Sequence, residues 1–283
     1  MKTNSKRLVT LFGLCTAFGI IVSKSEKKKG WSNSHTPYGL YEKHIKRPLD
    51  LVLSLIALFF LWPIMLVLDC SVKKNIGLPV IFKQVRPGLG EKLFTLRKYR
   101  TMTDEKGTDG ELLSDRERLT PFGKKLRSSS LDELPELISI ITGDMAIVGP
   151  RPQLVRDMVF MSDKHRKRHT VRPGLTGLAQ VSGRNAISWE EKLDKDLEYI
   201  DHITFIGDMK IIMKTVWKVI RKDGITEEGQ ATALDYGDWL LENGRVNSKE
   251  YDTLQKEARK IIEEAAEKLH KRRCIYIDES KCD

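Results

Sequence analysis

Leu51 to Leu68 is a run of 18 residues without a charge, and it narrows what this chain can fold into more than any other stretch. A straight helix of that length reaches ~27 Å, marginal for a bilayer. Pro63 lies inside the run and lacks the N–H a helix interior needs, so a kink is expected there. Lys43, Lys46 and Arg47 precede the run, and Lys73, Lys74 and Lys83 follow it. Positive flanks on both sides place both ends in the cytoplasm. One segment with both ends on one side, and a proline within it, predicts a re-entrant helical hairpin that dips into one leaflet. It occupies residues 41–75, with Asp50 at its entry and Pro63 at its bend. The alternative is a buried core helix, for which this run is long.

Residues 1–40 form a separate region. Lys2, Lys6 and Arg7 precede an apolar run, Leu8 to Val22, and a second basic cluster follows. The pattern is that of a signal peptide without a convincing cleavage site. At 15 residues the run is short for crossing a bilayer. A shallow or interfacial anchor is the first reading, a cleaved signal the second, and residues 30–40 read as a linker. Lys and Arg outnumber Asp and Glu by 49 to 39, a net charge of +10. That balance suits nucleic acid, anionic lipid headgroups or phosphate-rich substrates. Cys15, Cys70, Cys274 and Cys282 lack metal-type spacing, which points to a reducing compartment without a disulfide framework.

Downstream, Val80–Val85 and Leu93–Tyr99 are β-rich around a Pro87-Gly88 turn, predicting a basic β-hairpin that carries Arg86, Arg97, Lys98 and Arg100. Those cations can face solvent or phosphate. Residues 103–118 read as a mobile loop. Thr120 followed by Pro121 starts a helix that ends near Arg127. Asp132 and Glu133 then sit between three serines and the apolar run Leu134–Ile141. With Ser130 or Asp132 as N-cap and Pro135 in the first turn, the acidic pair is expected at a helix start, where free N–H groups favour anions. Ordinary capping explains such a pair on its own; a carboxylate held ionised as nucleophile or metal ligand is the functional reading.

In Pro150-Arg151-Pro152, two prolines fix the backbone around one guanidinium, either as a rigid turn or as a platform that aims Arg151 at an anion. Val171 to Asn185 holds three glycines together with Arg172 and Arg184. Such loops let backbone N–H groups approach a ligand. Helical spacing recurs over 189–200 and 209–220, where Met213 and Trp217 suit core or membrane-surface contacts. From about residue 231 the chain changes character. A helix capped by Ser248 carries a narrow apolar stripe through Tyr251, Leu254, Ala258, Ile261 and Ala265. With Trp239 and Leu240 it can form a helical hairpin that self-associates or one that packs back on the preceding domain.

Taken together, Lys46-Arg47 with Asp50, Arg-Pro-Gly at 86–88, Lys-Tyr-Arg-Thr-Met at 98–102 and Leu-Asp-Glu-Leu at 131–134 form an ordered series. Gly-Pro-Arg-Pro at 149–152, Arg-Pro-Gly-Leu-Thr-Gly at 172–177 and Gly-Arg-Asn at 183–185 complete it. Over roughly residues 41–230 the chain resembles the bacterial sugar transferases, the small monotopic phosphoglycosyl transferases. The resemblance implies a re-entrant membrane helix over 41–75 and a compact cytoplasmic catalytic domain over 76–230; with the helical tail over 231–283, which lies outside it, the expected fold is helix-dominated α+β. It implies transfer of a sugar phosphate from a UDP-sugar to polyprenyl phosphate at the inner face of the cytoplasmic membrane, with release of UMP and with Mg²⁺ as cofactor. It makes Asp132 a nucleophile that forms a covalent phosphosugar, and Glu133 its companion in proton handling or metal binding. Arg86, Lys98, Arg100, Arg127, Pro150, Arg151, Pro152, Arg172, Arg184 and Asn185 become the candidate substrate contacts. Many relatives place serine before the helix-breaking proline; Trp62 stands there in this chain and suggests a shallow hairpin. The rival reading is a non-catalytic membrane scaffold that binds anionic lipid or nucleic acid. It offers no role for the Asp-Glu pair or for Arg151, and nucleic acid is not expected as a partner.

Overall fold

The structure is a computed structural model and describes residues 35–183, 187–221 and 234–276, with side chains to residue 268. The expected N-terminal anchor, Arg184 and Asn185 lie outside these residues. Among the described residues the architecture is α+β and helix-dominated, with one long apolar helix and two small two-stranded sheets.

Helix α1 (Lys46–Asn75) contains the uncharged run and continues through Pro63 without dividing into two helices. Its packing sets its place. At one end Arg47 donates to the carbonyls of Ile140 and Ile141 at 2.6 and 3.1 Å. In the middle Ala57 and Leu61 pack against Phe94, Leu96, Leu137, Ile140 and Met145. Towards the other end Leu68 and Val72 pack with Tyr99 and Leu126, and the Tyr99 hydroxyl donates to the Met65 carbonyl at 3.1 Å. The helix therefore touches the domain along most of its length. Its other face is apolar and open, with Phe59, Phe60 and Val67 between 66 and 70% exposed and Trp62 also exposed.

Strands β1 (Ile81–Pro87) and β2 (Leu93–Tyr99) pair antiparallel, as the sequence predicts. The 103–118 loop is folded, with bridges joining Met102 to Leu119 and Lys106 to Leu112. Helix α2 (Pro121–Ser128) begins as expected, Thr120 Oγ1 accepting from Gly123 N at 2.9 Å. Helix α3 (Glu136–Thr142) leads into β3 (Ala146–Val148), which pairs in parallel with β4 (Gly174–Thr176). The glycines expected to open onto a ligand instead let these backbones close on each other. A Cβ on Gly174 would lie 2.1 Å from Gly149 N, and one on Gly177 2.2 Å from Gly149 O.

Helices α4 (Val155–Met158), α5 (Trp189–Asp201) and α6 (Phe205–Arg221) follow. The tail forms α7 (Tyr236–Glu242) and α8 (Ser248–Tyr276). Asn247, not Ser248, caps α8, its Oδ1 accepting from Glu250 N at 2.9 Å. Of the two readings of the apolar stripe, the structure shows packing back: Ala258 and Ile261 meet Val155, Met158, Val85 and Leu93.

Candidate active site

Period-two alternation on β2 sorts its side chains. Tyr99 points into the cluster that receives α1, whereas Lys98 reaches Glu133 Oε1 at 2.8 Å and Glu136 Oε1 at 3.0 Å. Arg151 Nη2 approaches the same Glu133 oxygen at 2.6 Å. Asp132 is under the charges of Lys98, Arg151 and Arg127, the last of which donates through Nε to Thr101 Oγ1 at 2.9 Å. Leu131 and Leu134, flanking the acidic pair, pack in the cluster that holds Leu68 and Val72 of α1. The carboxylates are thus built beside the apolar helix.

The local start differs from the expected cap. Ser130 adopts a left-handed backbone (φ 56°) without a side-chain cap, and Leu131–Glu133 form a 3₁₀ turn ahead of α3, with Pro135 at its N-cap. Burial and neighbouring charges, rather than a helix N-terminus, decide the state of the pair. Burial works to raise Glu133, but Arg151 and Lys98 outweigh it and hold this carboxyl far below the usual range. Asp132 is only 8% exposed, and burial together with the Glu133 charge pushes it up to about 6, against the pull of Lys98, Arg127 and Arg151. Of the two carboxyls, the one held ionised is Glu133, by Arg151 and Lys98 rather than by a helix start. Adjacent carboxyls pushed apart in this way can divide chemical roles.

Every carbonyl of the 150–152 strap has a donor. Gly174 N reaches Pro150 O at 3.0 Å, Arg168 Nη2 reaches Arg151 O at 2.5 Å, and Arg86 Nη1 reaches Pro152 O at 3.1 Å. Arg168 is itself buried and paired with Asp196 at 2.7 Å. Two prolines and three donors leave the strap little freedom, and the Arg151 guanidinium is aimed at Glu133.

A family model described as bacterial sugar transferase matches residues 41–222. The chain belongs to the bacterial sugar transferase family. A Bacillus subtilis protein named as an uncharacterized sugar transferase, EpsL, is 47% identical over 189 residues, covering 67% of this chain and 94% of that protein. A UDP-glucose:undecaprenyl-phosphate glucose-1-phosphate transferase of Xanthomonas campestris is 38% identical over 60% of this chain. The matched part is 38% of that longer protein. A Caulobacter vibrioides protein of the same name is 34% identical, over 63% of this chain and 70% of its own length.

Within this sugar transferase, Asp132, Glu133, Lys98, Arg127 and Arg151 come together, framed by Pro150 and Pro152. Arg86 adjoins them but is committed within the protein, donating to Pro152 O at 3.1 Å and through Nε and Nη2 to Gln84 Oε1 at 3.1 and 2.6 Å; burial and the Arg151 charge lower its pKa to about 10. Two further predicted contacts are committed elsewhere. Arg100 donates to Leu78 O at 2.7 Å and pairs with Asp104 at 2.6 Å. Arg172 Nε reaches Gly143 O at 2.9 Å, so with Arg47 it caps the carbonyl end of α3, away from Asp132. Asp50 is buried at the base of α1, 3.9 Å from Lys46. Sequence reasoning missed Glu136, Thr101, Arg168 and Asp196. Glu136 had a signal, three residues after Glu133 in the same motif. Arg168 had none, since it stands in a basic run that reads as a solvated face.

Among the described residues no group of three acidic, His or Cys side chains forms a metal site. Mg²⁺ usually takes one or two carboxylates and completes its shell with water and substrate phosphate. Asp132, a buried carboxyl whose own charge is incompletely balanced, fits that use. Glu133 fits it less well, because two cations already share its Oε1. Replacing Arg172 by methionine is expected to lower stability by about 1–2 kcal/mol, the cost of an unmade buried hydrogen bond, with turnover per folded molecule unchanged. Arg127→Met should cut turnover while altering the melting point less; activity normalised to folded protein separates them.

Proposed function

We propose that this sugar transferase moves a sugar 1-phosphate from a UDP-sugar to polyprenyl phosphate, releasing UMP, as an initiating step of bacterial surface polysaccharide or glycoconjugate assembly. The observation that carries the reading is a buried Asp132, flanked by cations and by a clamped Glu133, on a turn that packs against the apolar helix. Relatives named as UDP-glucose:undecaprenyl-phosphate glucose-1-phosphate transferases support it.

In this reading an Asp132 oxygen attacks the β-phosphorus of the donor. The phosphorus bond to the bridging oxygen breaks, and its electron pair leaves with UMP. A phosphate oxygen of the polyprenyl acceptor then attacks the same phosphorus and returns Asp132 as a free carboxylate. Arg151 and Arg127 balance the diphosphate charge, Arg86 adds positive charge from behind the strap, and Lys98 keeps Glu133 ionised and in place. Mg²⁺ would be held chiefly by Asp132, with Glu133 beside it as the poorer ligand, and would neutralise phosphate charge.

The reading of α1 as a monotopic anchor rests on its contacts. A helix that crosses a bilayer needs about 30 Å clear of its own soluble domain. This one meets the domain from Arg47 to Val72. A position within one leaflet of the cytoplasmic membrane, apolar face outward, agrees with that packing. Helix α6 adds to it: Ile206, Met213, Val216, Trp217 and Ile220 are exposed, beside Lys210, Lys214 and Lys218. Its Asp208 binds Tyr41 at 2.7 Å and Lys46 at 2.6 Å, at the root of α1. Such a face suits anionic headgroups.

The test is incubation of detergent-solubilised protein with undecaprenyl phosphate, Mg²⁺ and a panel of UDP-sugars, with UMP measured. Lipid-dependent release with one sugar is expected, and intact mass should show a phosphosugar adduct when lipid is omitted. Neither UMP nor adduct with any donor would return the scaffold reading to first place. The rate should rise with pH through about 6, because a protonated Asp132 is a far weaker nucleophile than its carboxylate. Below that it should fall about tenfold per pH unit.

A further inference from the structure

The family match ends at residue 222, yet the chain beyond it is docked directly behind the strap. Tyr236 N donates to Asp157 Oδ1 at 2.8 Å, while Leu154 N donates to Asp157 Oδ2 at 3.2 Å. One buried carboxylate therefore ties the start of α4, two residues after Pro152, to the start of α7. Arg156 forks onto the tail, 3.2 Å from Asp235 and 2.9 Å from Asp238, and the Tyr251 hydroxyl donates to the same Asp238. Gly237 sits against the Phe160 ring, where a Cβ would come within 2.5 Å, and Ala258 is buried between Val155 and Met158. The charges of Asp157 and Asp235 both act on Arg86, whose guanidinium holds the Pro152 carbonyl.

We infer that residues 235–265 are a positioning element for the donor site: docked on α4, they hold Arg86 and, through it, the 150–152 strap, so that Arg151 meets the donor diphosphate. The inference rests on the donor reading above and adds a role for a segment outside the family match. The physical logic is that Arg86 and Arg151 repel each other. Glu133 and Glu136 offset that repulsion from the site side, and from behind the tail adds a carboxylate, Asp235, and the Tyr236 N–H that fixes Asp157. Asp157 is then a positioning residue, since it acts through the strap.

The test uses the full chain with two undocking variants, Gly237→Leu and Ala258→Arg, and Lys260→Ala on the exposed face of α8 as control. Three quantities are read: the Kd for UDP, the KM and kcat for the donor, and amide exchange over residues 150–160. Undocking is expected to weaken UDP binding and raise KM about tenfold, leave kcat within about twofold, and speed exchange over 150–160, with the control unchanged. Faster exchange with an unchanged Kd for UDP would overturn the inference, since the tail would then be mere packing. Unchanged exchange in both variants would overturn it too, since the strap would stand without the tail. Failure of the donor reading is told apart by the unsubstituted protein, which would then release no UMP with any donor.

Discussion

Asp132→Asn is expected to end UMP release and, at neutral pH, to make the protein more stable. The first effect follows from removal of the attacking oxygen and should reach a factor on the order of 10⁴ or more. The second follows from linkage. Folding lifts the Asp132 pKa from 3.8 to about 6, so the fold favours the neutral form. The associated stability is fully present below pH 3.8 and is lost as pH rises through about 6. At pH 7 the ionised carboxylate therefore costs stability, and a neutral amide removes that cost. Discounted for the amide's own hydrogen-bonding needs, the gain is roughly 1–2 kcal/mol, or a few degrees in Tm. Glu133→Gln should act in the opposite direction, because it leaves Lys98 and Arg151 without their shared anion, a loss on the order of 3 kcal/mol. Thermal melts at pH 7 and pH 4 check both signs: the Asp132→Asn advantage should shrink at the lower pH. An Asp132→Asn protein that still formed a phosphosugar adduct would exclude the covalent role of this residue.

Arg168→Met is expected to be the most damaging single change to the fold outside the carboxylate pair. It strands the Asp196 charge in the interior and removes the donor to the Arg151 carbonyl. Breaking one side of a buried ion pair typically costs about 3–5 kcal/mol, which in a chain of this size lowers Tm by about 10 °C. Adding Asp196→Leu should recover most of that stability, since no charge is then left buried alone. It should not recover donor binding, because the strap still lacks its middle anchor. Melting temperature and the KM for the UDP-sugar, measured on both variants, separate the two roles. Full recovery of both in the double variant would show that Arg168 serves the core alone.

Much of this was legible beforehand because it depends on neighbours in the chain. The β-hairpin shows in its β-rich runs and Pro-Gly turn, α2 in Thr120-Pro121, and the apolar helix in its uncharged length. The ordered motifs, the acidic pair and the proline-bracketed arginine among them, identified the family. Other features were misjudged because the deciding interaction is distant in sequence. Arg100 and Arg172 looked like phosphate contacts, yet one serves the Leu78 and Pro79 carbonyls and the other the end of α3. The glycines of 174–177 were read as a ligand loop and are instead the close approach of two parallel strands. The apolar stripe of α8 showed an interface but not its partner.

The sequence by itself determined most of the elements, the presence of a long apolar helix and the position of the adjacent carboxyl pair, since composition, period and turn chemistry act over a few residues. Only the tertiary structure decided which carboxyl is held ionised, which arginines share the site, and what the tail covers. Charge and burial act through space: Lys98, Arg151 and Glu133 meet from three separate elements, and their sum at Asp132 exists only once those elements have packed.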